Sequence, residues 1–324
     1  MRKSSPWLRF AFTLGFTLLV FATTWYFQKS ETPPWREKSA SSVEHITLES
    51  QPSKKPLTED HVTAFRFVSY NLKNWLISSQ NPEKSPESKN AAIDILVSSR
   101  ADIIGLSEIG SQADVLEVQK QLKKSGLDLP YFHYTGGIDP IRHLGILSRY
   151  PITSKQDPDI TINQSHLTMQ RGILDVTIEI NQQPTRFIGI HLKSKRFTPN
   201  FDQEEFRILE AEHVRKYIDS IFVSNPDSKL IAYGDFNDDI QSLSTKTILG
   251  KYGSSSYLTP VQMSDQRGEK WTHYYSFQDS YSRIDFITVS NAMKPHIDRK
   301  TSLIIDTPDW DQASDHRAIM VGFR

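Results

Sequence analysis

The strongest constraint on this chain is a set of short β-rich runs that do not alternate strictly with helices. The clearest are Phe65–Tyr70, Asp102–Ser107, Leu144–Ser148, Ile173–Ile180, Arg186–His191, Lys229–Tyr233, Ile284–Val289 and Ala318–Phe323, each bounded by turn-forming residues. Ile173–Ile180 alternates apolar and polar residues, which predicts a strand with one solvated face. Helical periodicity is strongest over Asp202–Phe222, where Phe206, Leu209, Tyr217, Ile218 and Ile221 share one side. Shorter helices are predicted at Glu87–Ser99 and Ala113–Lys124, with Gly126 placed to end the second. Many strands with few helices predict an α+β domain of two packed sheets flanked by helices.

That domain is expected over residues 63–324. Ahead of it, residues 10–27 are uncharged and follow Arg2, Lys3 and Arg9. As a helix this stretch spans roughly 27 Å, about the thickness of a bilayer core. Trp7, Trp25 and Tyr26 flank it as interface anchors. Residues 1–30 are therefore read as a signal anchor, with the N-terminus cytoplasmic and the domain on the exported side. A cleaved signal peptide, giving a secreted domain, is the rival reading. Residues 31–62 are rich in Pro, Ser, Lys and Glu without an apolar period, the composition of a disordered linker.

Composition removes several chemistries. The 324 residues include no cysteine, which excludes disulfides, thiolate catalysis and Cys-ligated metals. The 38 basic and 38 acidic residues balance, so the chain does not coat a polyanion by net charge, although a local basic groove is still allowed. No phosphate-cradling GxxxxGK[ST], no dinucleotide GxGxxG and no HExxH occurs. Ser107 in GLSEIG lacks the glycine that a nucleophile elbow needs, since Ile109 stands there.

Polar residues instead collect at the strand ends. Asn71 follows FRFVSY, Glu108 follows DIIGLS, and His191 follows RFIGI. Asp235 and Asn237 follow KLIAYG, Asp285 lies in SRIDFITVS, and Asp315 and His316 precede the last run. Singly, each fits a turn or a solvated surface. Together they supply hard oxygen donors for a divalent cation, with imidazoles for proton transfer, the needs of phosphoester chemistry.

The series SYN, the strand-end Glu, HLKSK, GDFN, RIDFI and SDH resembles the endonuclease/exonuclease/phosphatase superfamily over essentially all of residues 63–324. The resemblance implies a four-layer α/β/β/α sandwich of two mixed sheets, with the site at one edge. It also implies Mg²⁺, or Mn²⁺ in its place, with Glu108 as principal ligand, Asn71 beside it, and Asp315 supporting the metal or its water shell. Asp235 would orient or deprotonate the attacking water, and Asn237 would position that water or the phosphate. His191 would donate to a phosphate oxygen. His316, oriented by Asp285, would contact the phosphate and act as acid or base. Arg171 falls where relatives often carry a substrate-facing arginine. The chain departs from the pattern at Ser107, where relatives commonly have Gln.

Lys193, Lys195 and Arg196 follow His191 closely enough to grip neighbouring phosphates of a polymer. Trp271, Tyr274, Tyr275, Phe277 and Tyr281 could stack bases, although packing at a sheet edge is the more ordinary role for most of them. His133, His143, His166 and His273 read as surface or packing residues. The expected activity is a metal-dependent nuclease or broader phosphodiesterase, with nucleic acid as partner and the membrane contacted through the N-terminal helix. A sphingomyelinase-type lipid phosphodiesterase is the first rival, with no exposed apolar hairpin evident to support it. A non-catalytic tethered binding domain is the second.

Overall fold

The computed structural model describes residues 65–75, 84–162, 167–199 and 201–324. The expected anchor (1–30), linker (31–62) and His166 lie outside the described residues. Among the described residues no helix is long and apolar enough to cross a membrane.

In chain order the strands are β1 (Phe65–Asn71), β2 (Ile103–Ser107), β3 (Tyr131–Thr135), β4 (Leu144–Ser148), β5 (Ile152–Gln156), β6 (Thr161–Ile162), β7 (Leu167–Thr168), β8 (Ile173–Ile180), β9 (Gln183–His191), β10 (Leu230–Asp235), β11 (Thr259–Pro260), β12 (His273–Tyr275), β13 (Ser280–Ser282), β14 (Asp285–Val289), β15 (Ile297–Ile304) and β16 (Ile319–Phe323). The helices are α1 (Pro86–Ser99), α2 (Gln112–Lys124), α3 (Gln203–Ser224), α4 (Leu243–Leu249) and α5 (Trp310–Ala313). One six-stranded sheet runs β15-β16-β1-β2-β4-β3 and the other β11-β14-β10-β9-β8-β5. Both are mixed, because β1 and β2 are parallel, as are β9 and β10, while their other neighbours are antiparallel.

The sheets pack face to face. Phe67, Ile103 and Ile146 of the first share a buried cluster with Val176, Phe187, Ile231 and Tyr233 of the second. Phe67 meets Phe187 and Tyr233 edge-on, with ring centroids 5.2 and 4.7 Å apart. Each such ring, fully buried, contributes about 1.5–3 kcal/mol. The outer face of the first sheet is covered by α1 and α2, and that of the second by α3 and α4. Gly105 permits the close approach of the sheets, since a Cβ there would overlap the Tyr233 ring.

Every strand legible in the sequence is an inner strand of a sheet. Within the two six-stranded sheets, the strands not foreseen, β3, β5, β11 and β15, are the four edges. β5 and β15 carry Lys155, Asp298, Arg299 and Lys300, the polar load that discourages edge-to-edge pairing. The expected solvated face of Ile173–Ile180 holds at its far end, where Glu179 is exposed, and is corrected at its start. Its Asp175 is fully buried beneath α3 and is paired with Arg186, with Tyr217 Oη donating to it at 2.5 Å.

Candidate active site

Parallel pairing brings strand ends of like polarity to one edge. In β10, Asp235 stands in register with His191 of β9 on one side and Asp285 of β14 on the other. In the facing sheet, Asn71 ends β1 and pairs with Ser107, the residue before Glu108. Asn71 Nδ2 crosses between the sheets and donates to Asp235 Oδ2 at 3.0 Å.

A continuous run of contacts connects the cluster. His191 Nε2 lies 3.8 Å from Glu108 Oε1 and 3.6 Å from Asp235 Oδ2, and His316 Nε2 lies 3.8 Å from the same Asp235 oxygen. His316 Nδ1 sits 2.8 Å from Asp285 Oδ2, and Asp315 Oδ1 is 4.0 Å from His316 Nε2. Asn237 donates through its backbone N–H to Asp235 Oδ1 at 2.8 Å and through Nδ2 to Asp235 Oδ2 at 3.1 Å. The Asp235 carboxylate is thus fixed in orientation by two amides and a backbone donor.

The backbone is strained here. Lys73, Asn74, Glu108 and Asn237 all have φ between 51° and 59°. Non-glycine residues seldom adopt this region, and such outliers cluster at functional sites. Gly234, at φ 130°, must be glycine, because a Cβ would strike the Ile190 carbonyl of the neighbouring strand.

Burial and charge divide the titrations. Burial, with Asp285 nearby, raises the Asp235 carboxyl to about 7. Burial acts to lower His316, but the charge and hydrogen bond of Asp285, with Asp235 and Asp315 behind them, raise it to about 10. His191 is held well below its ordinary value by burial and by the positive charges of Arg171, His316, Arg142 and Lys193. One imidazole is therefore neutral and the other charged near neutrality.

The foreseen basic residues are placed differently from one another. Arg171 is 5% exposed, with Nη1 donating to Leu192 O at 3.0 Å and Nε 3.5 Å from Asp139. Lys193 is buried and its ammonium curls onto the Ser194 and Arg196 carbonyls. Lys195 is exposed and pairs with Asp238 at 2.8 Å.

The sequence reading missed several residues around the site. Glu210 of α3 is fully buried and accepts from Gln170 N at 3.0 Å and Lys193 N at 2.6 Å, tying together the loops that carry Arg171 and His191. Its spacing gave a signal, because it falls four residues from both Phe206 and Val214 on the buried stripe of α3. Arg142 lies 3.9 Å from Glu108 Oε1 and 3.2 Å from Asp139. Buried Lys84 donates to Leu72 O and Ala313 O, bracing the Asn71 and His316 segments against each other. β12 and β13 form a hairpin beside His316, with Phe277 85% exposed in its turn.

The donor set fits a hard divalent cation. Glu108 Oε2 accepts from Asn74 N at 2.8 Å, whereas Oε1 has its two neighbours, the Arg142 guanidinium and the His191 ring, beyond hydrogen-bond range. Asn71 Oδ1 accepts from Lys73 N, leaving one lone pair, and the carboxylates of Asp235 and Asp315 add further oxygen. Asp235, Asp285 and His316 also bring ligand atoms within 4.8 Å of one another, as do His273, Asp315 and His316. In both groups Nδ1 of His316 is engaged by Asp285, which leaves Nε2 as its one available ring nitrogen.

Two mixed sheets with an acid, amide and imidazole cluster at one edge define an α+β scaffold of the phosphoester-hydrolase type. The chain belongs to the Endonuclease/Exonuclease/phosphatase family, whose profile matches residues 59–307. Members of this family hydrolyse phosphoester bonds. No curated protein matches the chain. Among solved structures, a family protein from Leptotrichia buccalis is 20% identical, covering 80% of this chain and 99% of that one at a TM-score of 0.57. Sphingomyelinase C from Streptomyces griseocarneus is 14% identical over 80% of this chain and 99% of its own, at a TM-score of 0.57. A doubly substituted beta toxin from Staphylococcus aureus with bound magnesium ions is 16% identical, with coverage of 80% and 99% and a TM-score of 0.55. At these identities the likeness is one of fold.

Proposed function

We propose that the chain is a divalent-metal-dependent phosphodiesterase acting on nucleic-acid phosphodiesters. The observation that carries this reading is the unbroken path Glu108–His191–Asp235–His316, in which no step exceeds 3.8 Å. Glu108 and Asn71 would hold Mg²⁺, or Mn²⁺, with Asp315 supporting its water shell. The bound ion would act as a Lewis acid on a non-bridging phosphate oxygen.

The protein's own groups account for the rest. Asp235, its proton affinity raised to about 7, takes a proton from the water that attacks phosphorus. Asn71 and Asn237 keep its oxygens aimed while it does so. His191, neutral and buried, offers Nε2–H to the phosphate and stabilises charge in the transition state. The His316 imidazolium, held in one tautomer by Asp285, gives its Nε2 proton to the leaving oxygen as the P–O ester bond breaks. Arg171, Lys193 and Lys195 contribute positive potential along the approach for further phosphates. The same proposal places the domain on the exported side of a membrane, held by residues 10–27.

Lipid phosphodiesters are the second reading, favoured by the exposed Phe277 beside the site. A panel of DNA, RNA, sphingomyelin and bis(p-nitrophenyl) phosphate, run with the full chain and a metal titration, separates the two. Turnover of DNA or RNA with Mg²⁺ or Mn²⁺ supports the nuclease. Turnover of sphingomyelin alone moves the assignment to lipid, and binding of phosphate ligands without any turnover moves it to a binding domain.

A further inference from the structure

The aromatic residues of 271–281 divide by the faces of one hairpin. On one face, Trp271 packs on Tyr281 (ring centroids 4.8 Å apart) and on Trp310 (4.9 Å), and Tyr274 stacks on Tyr281 at 4.7 Å. Arg317 caps Trp271 at 3.4 Å. These rings brace one another, so none of them has both faces free. The other face carries a different series. The His316 ring lies 4.6 Å from His273, His273 lies 6.5 Å from Tyr275, and Tyr275 lies 6.1 Å from Phe277. Exposure climbs along it, from 5% at His316 to 46% at Tyr275 and 85% at Phe277.

The series is anchored to the active site by backbone. Tyr274 N donates to Asp315 O, Arg317 N donates to Thr272 O, and Thr272 Oγ1 accepts from Asp285 N. The turn is fixed as well, since Tyr274 Oη donates to Asp279 Oδ1 at 2.9 Å. Phe277 is therefore presented by a braced loop.

The His273 and Tyr275 rings are nearly parallel, at 19°, with centroids 6.5 Å apart, so the exposed Tyr275 ring continues the line that leaves the site along the hairpin. A bilayer fits this hairpin less well. Its turn, Ser276–Asp279, offers one apolar side chain beside Gln278 and an acidic residue.

We propose that the exposed Tyr275 ring stacks the nucleobase next to the scissile phosphate, with Phe277 stacking the base after it. This rests on the phosphodiesterase reading of the same site and specifies its substrate as a nucleotide chain with unpaired bases. Aromatic platforms of this kind accept any base, because every base has a flat face.

The test is the ratio of kcat/KM for thymidine 3′- or 5′-(p-nitrophenyl phosphate) to that for methyl p-nitrophenyl phosphate, which lacks a base. For one of the two nucleoside isomers, the ratio falls at least about fivefold in Tyr275→Ala, the lower end of the effect of deleting a base-stacking ring, and is retained in Tyr275→Phe. Unchanged ratios for both isomers in Tyr275→Ala overturn the stacking platform and leave the phosphodiesterase reading standing. A wild-type chain inert towards all three esters removes that reading, and the platform with it. Unchanged ratios with vesicle binding that Phe277→Ala abolishes, on phosphatidylcholine–sphingomyelin vesicles, assign the hairpin to a membrane instead.

Discussion

His316 Nδ1 and Asp285 Oδ2 lie 2.8 Å apart, and both side chains are buried where the last strand and β14 meet the active-site edge. The pairing fixes which imidazole nitrogen faces Asp235. It also keeps the ring protonated well above the ordinary histidine value, to about 10, against the opposing effect of burial.

Asp285→Asn removes the charge that holds that proton. A carboxamide can still orient the ring, yet activity is expected to fall by at least about 10²-fold, in line with the loss of a positioned general acid. The stability effect has a definite sign. The folded value lies above the unfolded value of about 6.5, so the contribution is fully present below pH 6.5 and lost as pH rises through about 10. Urea unfolding at pH 6 and pH 10 should show a larger loss of stability in the wild type than in Asp285→Asn, and equal losses would refute the pairing as the cause.

Glu210→Gln should uncouple the loops that carry Arg171 and His191. The amide can accept only one of the bonds now given by Gln170 N and Lys193 N, leaving a buried donor unpaired at a cost of about 1–3 kcal/mol. We expect kcat to fall about tenfold or more while the fold survives, because misplacing catalytic groups is costly at distances near 1 Å. Steady-state kinetics with circular dichroism checks this, and unchanged kcat would reduce Glu210 to a packing role.

Gly234→Ala should destabilise the domain by more than about 2 kcal/mol, since it combines an unfavourable backbone region with a clash on the next strand. Denaturant midpoints measure it. Wild-type stability in the variant would mean that β9 and β10 can separate without cost.

The inner strands and the placement of most of the candidate site were legible because they obey simple rules. A strand buried on both faces must be an apolar run, and a polar residue that ends such a run is placed by the sheet. Asn71, His191 and Asp235 were readable in this way, and Glu108 follows directly on β2. The edge strands β3, β5, β11 and β15 were not, because one side of an edge has no strand neighbour and tolerates charge. Asp175 and Glu210 were hidden for a related reason. Both look solvated in one dimension and are buried only because α3 lies across β8 and β9. The aromatic segment could not be divided between the two faces of its hairpin until the register was known.

Glu108 should be separable from the fold. Glu108→Gln preserves shape and an acceptor for Asn74 N, so the melting temperature without metal should change little. Calorimetric titration with Mg²⁺ or Mn²⁺ is expected to show binding weakened at least about tenfold, the scale for disturbing a metal's surroundings. Unaltered affinity would place the ion elsewhere in the site.

The most direct test is the rate of phosphodiester hydrolysis by the full chain as Mg²⁺ or Mn²⁺ is titrated. Saturable activation is predicted, abolished by EDTA and reduced at least about 10²-fold in each of Glu108→Gln, Asp235→Asn and His316→Gln. Hydrolysis that persists without metal, or that survives all three substitutions, would contradict the account.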